Sequence, residues 1–205
     1  MALPGMRSRP SGSHRDQVVQ AAVELANELG PGYSGGYTYE PTPDAAERAA
    51  VGNRVFERFH ESSVPFEPAE SAHIGRLAAA LHDIFILFAE GEVAESVPLI
   101  NALLREFPAA PHISAEPPWS LHYHDDSLAA APGWQIGCAA ALGSFVSSGA
   151  WRYIGRCEAE RCDRVFLDDT RNRSKRFCST RCQNREKVRS FRLRHAAARA
   201  NDVTV

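Results

Sequence analysis

The sequence is short of nearly every mark of a nucleotide enzyme, a secreted protein or a membrane protein. Among its 205 residues there is no Gly-rich phosphate loop, no GxSxG elbow and no dinucleotide-binding glycine fingerprint. Neither phosphoryl transfer nor serine-hydrolase chemistry therefore has a recognisable foothold. The opening MALPGMRSRP is not followed by an apolar segment of the signal-peptide kind. The longest strongly apolar run, IFILFA at residues 84–89, falls far short of the ~20 residues that cross a bilayer. No internal repeat and no low-complexity tract occurs. The expectation from these absences is a cytoplasmic protein with no membrane partner. Cysteine is scarce too: five residues, with no Cys-x2-Cys pair of the thioredoxin kind. In a reducing compartment, clustered thiols read as metal ligands or catalysts before they read as disulfides.

What is present is ordinary in bulk and lopsided in detail. A hydrophobic share of 44% and a charged share of 23% suit a globular chain, long enough for one domain plus an appended module. The net charge of −2 conceals a division. Residues 151–205 hold 15 of the 23 Lys and Arg but only 7 of the 25 Asp and Glu, a local balance of +8 against −10 for residues 1–150. A basic tail on an acidic body points to a polyanion partner for the tail. A solvated basic helix that balances the body is the plainer reading of the same charges.

Residues 1–13, rich in Gly, Pro, Ser and Arg, read as a flexible terminus. Val18, Ala22, Leu25 and Leu29 then mark a helix over residues 14–29, stopped by Gly30 and Pro31. GPGYSGGYTYEPTP (residues 30–43) is a loop with a short strand at 37–40. Val51, Val55 and Phe59 mark a second helix over 43–60. Ile74, Leu77, Leu81, Ile84, Phe85 and Phe88 mark a third over 67–89. Leu99, Ile100, Leu103, Leu104 and Phe107 belong to a fourth, with Pro98 in its first turn. WSLHYHDD (119–126) reads as a short strand, and a small-residue helix follows over 132–148. The charge changes sign at the next turn. The fold class expected is mainly α: a helical N-terminal domain over 14–150 and a small C-terminal module over 151–205.

Four of the cysteines lie within 26 residues as Cys157-x4-Cys162, fifteen intervening residues, then Cys178-x3-Cys182. Two close pairs joined by such a spacer are what a closed tetrahedral zinc site requires. A redox switch would be expected to use Cys-x2-Cys, and an iron–sulfur cluster is not specially suited by two pairs so spaced. Four thiolates leave no open coordination position, so the expected Zn2+ is structural. WRYIGRC (151–157) and DRVFLDD (163–169) have strand character and would form a hairpin carrying the first pair. FCSTRCQNREKVRSFRLRHAAARA (177–200) reads as a helix whose first turn presents Cys178 and Cys182 on one face. This is a treble-clef arrangement. Cys138, in the fifth helix, reads as a buried small hydrophobe.

Four thiolates on a dication leave a local charge of about −2, and Arg176, Arg181 and Arg185 are close enough in sequence to offset it. They do not exhaust the basic residues. Arg171, Arg173, Lys175 and Arg176 precede the third cysteine, and Arg185, Lys187, Arg189, Arg192 and Arg194 follow the fourth. Spread over a loop and a helix, these side chains suit phosphate contacts.

RCEAERCDRVFLDDTRNRSKRFCSTRCQNREK (156–187) resembles the CGNR zinc-finger family. The likeness runs through Cys-x4-Cys, the Phe166-Leu167-Asp168 stretch, RNRSKRFCS and the closing Cys-x-Asn-Arg. The glycine of the family motif is Gln183 here, and an aromatic often seen as Trp is Phe177. The resemblance implies Cys157, Cys162, Cys178 and Cys182 as zinc ligands, DNA as the partner and bacterial transcriptional regulation as the role. That family carries an N-terminal helical domain of the ABATE type, associated with stress-induced regulation. VELANELG (23–30) is similar to the opening helix of that domain.

Two histidine motifs bear on catalysis. HYHDD places His122 and His124 on one side of a strand, but without a further ligand motif it reads as a polar strand face. The His82-Asp83 dipeptide lies on a helix and reads as a half-exposed amphipathic pair. No catalytic residue and no enzymatic activity are expected. Tyr33, Tyr37, Tyr39, Trp119, His122 and His124 are candidates for lining a small-molecule effector cleft in the N-terminal domain. The combined reading is a DNA-binding transcriptional regulator. A zinc-stabilised finger contacts nucleic acid while the N-terminal domain senses a signal or dimerises, a homodimer being one way for a small finger to gain surface. The alternative is a zinc-scaffolded protein–protein interaction module, and RNA is a third candidate partner.

Overall fold

The densest apolar stripe in the sequence builds the central helix. In the computed structural model, which describes residues 14–59, 64–115, 119, 121–125 and 127–202, helix α3 (Ser71–Glu90) buries Ile74, Leu77, Leu81, Ile84, Phe85 and Phe88. Around it pack α1 (His14–Leu29), α2 (Ala45–Glu57), α4 (Val93–Glu106) and α5 (Ala130–Ser147). The segment Pro68–Glu90 is long and apolar enough, by length and composition alone, to cross a membrane. Here that apolarity is used against the four neighbouring helices. Gly91 ends α3 with φ 84°, and its N–H reaches back to the Leu87 and Phe88 carbonyls, a conformation glycine adopts at no steric cost.

The expected helices are present with shifted ends. Helix α2 starts where the Asp44 carboxylate accepts the Glu47 N–H at 2.8 Å, a side-chain cap for an otherwise unpaired donor. Helix α4 begins five residues before Pro98 rather than at it, so Pro98 lies inside the helix. The expected flexible terminus, 1–13, lies outside the described residues. One buried polar side chain in the body, Gln135, is fully used: it pairs with His73 Nε2 at 2.7 Å, the Leu103 carbonyl at 3.1 Å and Glu106 at 2.8 Å, as burial of an amide demands.

Three antiparallel two-stranded sheets complete the described structure. The first joins β1 (Gly32–Ser34) to β2 (Tyr37–Tyr39) across Gly35 and Gly36. Both glycines have positive φ, 60° and 102°, as a tight two-residue hairpin turn requires. The second joins β3 (His112–Ile113) to β4 (Leu121–His122), and the third β5 (Ile154–Arg156) to β6 (Val165–Leu167). Ile154 and Val165 are buried in the same hydrophobic core as the helices, with β5 against α3 and β6 against α1 and α3. The change of charge near residue 150 is therefore not a gap in packing. A second, small buried cluster holds Cys157, Ala159, Cys162 and Cys182. The last element, α6 (Thr180–Asp202), runs 23 residues and meets the β1–β2 turn and the knuckle near its start.

Candidate metal centre and nucleic-acid interface

The hairpin β5–β6 carries the first cysteine pair at its tip. Cys157 follows β5 and Cys162 precedes β6, and the Cys157 N–H closes the tip onto the Arg164 carbonyl at 2.9 Å. The second pair belongs to the start of α6. Ser179 caps that helix: its hydroxyl accepts the Cys182 N–H at 3.3 Å and its carbonyl the Gln183 N–H at 3.1 Å. The expected helix reached back over Cys178; in the structure Cys178 stands in the turn just before it. Gln183, where the family motif has glycine, is an ordinary helical residue and needs no positive φ.

All four sulfurs lie within 4.8 Å of one another. Three edges are 3.8 Å (Cys162–Cys178), 3.7 Å (Cys178–Cys182) and 3.8 Å (Cys162–Cys182). A tetrahedron with metal–sulfur bonds of ~2.3 Å has edges of ~3.8 Å. Cys157, Cys162 and Cys182 are buried, and Cys178 is half-buried. The donor set, spacing and shielding fit a dication held by four thiolates and leave no open position for substrate.

The thiols polarise one another. Hydrogen bonds from Cys157 and then Cys178 hold Cys162 well below the ordinary thiol range, helped by the Gly35 and Arg164 amides. As the donor to Cys162, Cys157 is pushed up to about 11. Cys178, donating to Cys157 and Cys162, is raised further. Without a cation, like charges so close oppose ionisation of all four thiols together; a bound metal displaces the protons.

Gly35 belongs to the body, not to the finger. The β1–β2 turn lies directly on the knuckle: the Gly36 N–H donates to the Arg161 carbonyl at 3.0 Å, and the Asp163 N–H to the Tyr33 carbonyl at 3.1 Å. Asp163 Oδ2 accepts the Tyr33 N–H at 2.9 Å. Arg164, 4% exposed, donates to the Asn27 carbonyl, to the Gly30 carbonyl at 3.0 Å and to the Tyr33 carbonyl at 3.2 Å. It thereby caps the C-terminal end of α1, where a cation is favoured. The Asn27 amide pairs with Val165 like a strand, accepting its N–H at 3.0 Å and donating to its carbonyl at 2.8 Å. Asp168 orders the next loop, accepting from Thr170 N at 2.9 Å and Lys175 N at 3.1 Å.

Four of the nine predicted basic contacts are engaged within the chain. Arg176 pairs with Glu158, and its Nε reaches that carboxylate at 2.7 Å. Arg189 pairs with Glu160 at 2.6 Å and with Glu186 at 3.4 Å. Lys175 lies 4.9 Å over the Phe166 ring, its ammonium 3.4 Å from the Leu167 carbonyl. Arg185 packs against the Gly36 turn and has its Nε buried. Arg173 is exposed and lies 5.9 Å over the Tyr153 ring. Arg171, Lys187, Arg192 and Arg194 are exposed and make no ion pair with any described residue. Arg181, also exposed, lies beside the Gly35 turn.

The other sequence candidates do not converge. Tyr33 and Tyr39 lie under Arg161 and Arg164 in the β1–β2 hairpin, while Trp119 is 73% exposed and His122 and His124 form an edge-on ring pair at the second hairpin. Tyr37, on β2, points largely to solvent. The His82-Asp83 dipeptide is split: His82 is buried facing Asp163, with Nε2 3.3 Å from its carbonyl, and Asp83 is exposed. Cys138 is fully buried on α5, and burial pushes its thiol up to about 12. Asn27, Gly35, Asp163 and Arg164 carried no sequence signal of their roles, because their partners stand far along the chain. The Asp168–Thr170 turn was legible in principle as an aspartate followed two residues later by a hydroxyl.

A two-pair cysteine knuckle on a hairpin tip, facing the first turn of a helix, defines a treble-clef zinc finger. Residues 153–195 match the family model of the CGNR zinc finger. No curated protein matches the chain.

Proposed function

We propose that the chain is a cytoplasmic, DNA-binding transcriptional regulator whose C-terminal finger is folded by Zn2+. The observation that carries this reading is α6 itself. It starts at the metal site, meets the knuckle and the β1–β2 turn on one side, and leaves Lys187, Arg192 and Arg194 exposed, as Arg171 of the preceding loop is. Cys157, Cys162, Cys178 and Cys182 hold the zinc, which supplies cross-linking of knuckle to helix and no catalysis. The cations then meet phosphates, and counterion release drives association. The helical body supplies the input, through a ligand or a second copy, and the finger's tight docking on α1 and β1–β2 is the route by which such a signal reaches α6.

Fluorescence anisotropy of the zinc-loaded protein with duplex DNA tests this. Four to six phosphate contacts give a log–log salt slope of about −3.6 to −5.4, roughly a 150- to 1,800-fold loss of affinity from about 50 to about 200 mM salt. The chelated protein should lose binding. Absence of binding at low salt would refute the DNA reading and favour the finger as a protein-docking scaffold.

A further inference from the structure

The sides of α6 are not equivalent. At 3.6 residues per turn, Arg181 and Arg185 share the side that meets the β1–β2 turn. Cys182, Glu186 and Arg189 share the side that meets the metal and the knuckle, where Glu186 accepts the Glu160 N–H at 3.0 Å. The side opposite Cys182 carries Asn184, Val188, Phe191 and His195, spaced four, three and four residues apart. All four are exposed, Val188 by 49% and Phe191 by 55%. The His195 ring lies against Phe191, centroids 4.1 Å apart. Lys187 and Arg194 flank this stripe on one side, Arg181 and Arg192 on the other.

A polar amide and apolar side chains in a strip between two cationic rails is the layout of a helix that enters a major groove. The rails meet the two phosphate backbones, and the strip meets the base edges. The only acid in the described side chains of α6, Glu186, faces the knuckle. A second copy of this strip would therefore meet its own cations, whereas a polyanion complements them. The A-form major groove of RNA is too deep and narrow for a helix. We propose, building on the DNA-binding reading above, that this face of α6 reads duplex DNA directly. Asn184 pairs with an adenine edge, Val188 and Phe191 pack on thymine methyl groups, and Lys187, Arg192 and Arg194 hold the flanking phosphates. The preferred sites contain A·T pairs at the positions that Asn184 and Phe191 reach. Arg176 and Arg189 take no part, being paired with Glu158 and with Glu160 and Glu186, and Arg185 is half-buried against the Gly36 turn.

The test is selection of duplexes from a random pool by the full-length zinc-loaded protein, followed by anisotropy on the selected site and on unselected DNA. The wild type should enrich a motif with A·T pairs. Asn184→Ala should flatten one position and weaken the selected site about 5- to 100-fold, with affinity for unselected DNA changed less than about 2-fold. Arg192→Ala should weaken both DNAs together and reduce the salt slope by about one. Both side chains are exposed, and circular dichroism with metal content checks the fold of each variant. Salt-dependent binding without any enriched motif would overturn base reading and leave DNA binding intact. A motif unchanged in Asn184→Ala and Phe191→Ala would move the reading face elsewhere. No duplex bound at low salt would remove both proposals at once.

Discussion

Replacing Arg164 by methionine removes a charge while keeping much of the side-chain volume, and so isolates what holds the finger to the body. Arg164 is 4% exposed, and its guanidinium serves three carbonyls, those of Asn27, Gly30 and Tyr33. It also lies 3.5 Å from the Asp163 carboxylate and 4.9 Å over the Tyr39 ring. A hydrogen bond from a charged donor contributes about 1.5–3 kcal/mol, but three on one fork are not additive. Methionine leaves the Asn27 and Gly30 carbonyls without a donor, the Tyr33 carbonyl with only the Asp163 N–H, and the buried Asp163 carboxylate without its cationic neighbour. Breaking a buried charged network by deleting one partner costs about 3–5 kcal/mol. For a chain of this size that is a fall in Tm of roughly 6–20 °C. Urea and thermal denaturation of the zinc-loaded protein, followed by circular dichroism, measure it, and Arg164→Lys should recover only part because ammonium cannot reach three acceptors in fixed geometry. A loss below about 1 kcal/mol would refute the reasoning, since it would mean that water satisfies these carbonyls and that the docking contributes little.

Thiol reactivity should divide the five cysteines into four and one. The zinc-loaded native protein should react with none, chelation should expose Cys157, Cys162, Cys178 and Cys182, and Cys138 should need denaturant because burial holds its thiol at about 12; reaction of Cys138 in the native state would contradict this. Glu158→Gln and Glu160→Gln should release Arg176 and Arg189 from exposed ion pairs. Such pairs contribute little to stability, so Tm should hardly move, while affinity for DNA at low salt should rise a few-fold with a steeper salt slope. Unchanged affinity would show that these arginines cannot reach a backbone.

The body's helices were legible because each buries one stripe at helical spacing, as Ile74, Leu77, Leu81 and Phe88 do on α3. The knuckle was legible because cysteine spacing is a direct constraint of metal geometry. Pro98 misled the start of α4, because proline's preference for a first turn is statistical, and a helix interior accepts it at the cost of one hydrogen bond. The β1–β2 hairpin was half visible, its paired glycines signalling a tight turn. Its placement on the metal site was not visible. Nothing in YSGGYTY indicates that the Gly35 amide will act on Cys162, or that Asn27 will pair with Val165. Composition marked the tail as basic but could not tell Arg189, committed to Glu160, from Arg192, which faces solvent. That distinction depends on which acids the knuckle brings near.

The pairing of Asn27 with Val165 also constrains the order in which the chain can be completed. The partners are separated by 138 positions. A ribosome adding roughly 5–20 residues per second leaves the end of α1 without its partner strand for on the order of 7–30 s. Over that interval the Asn27, Gly30 and Tyr33 carbonyls await Arg164, and the β1–β2 turn awaits the loop on which it rests. Helix α1, made well before the finger, is thus among the last elements to be finished, and its completion coincides with assembly of the metal site. A nascent chain cut short before residue 165 would lack not only the finger but the closing contacts of its own beginning.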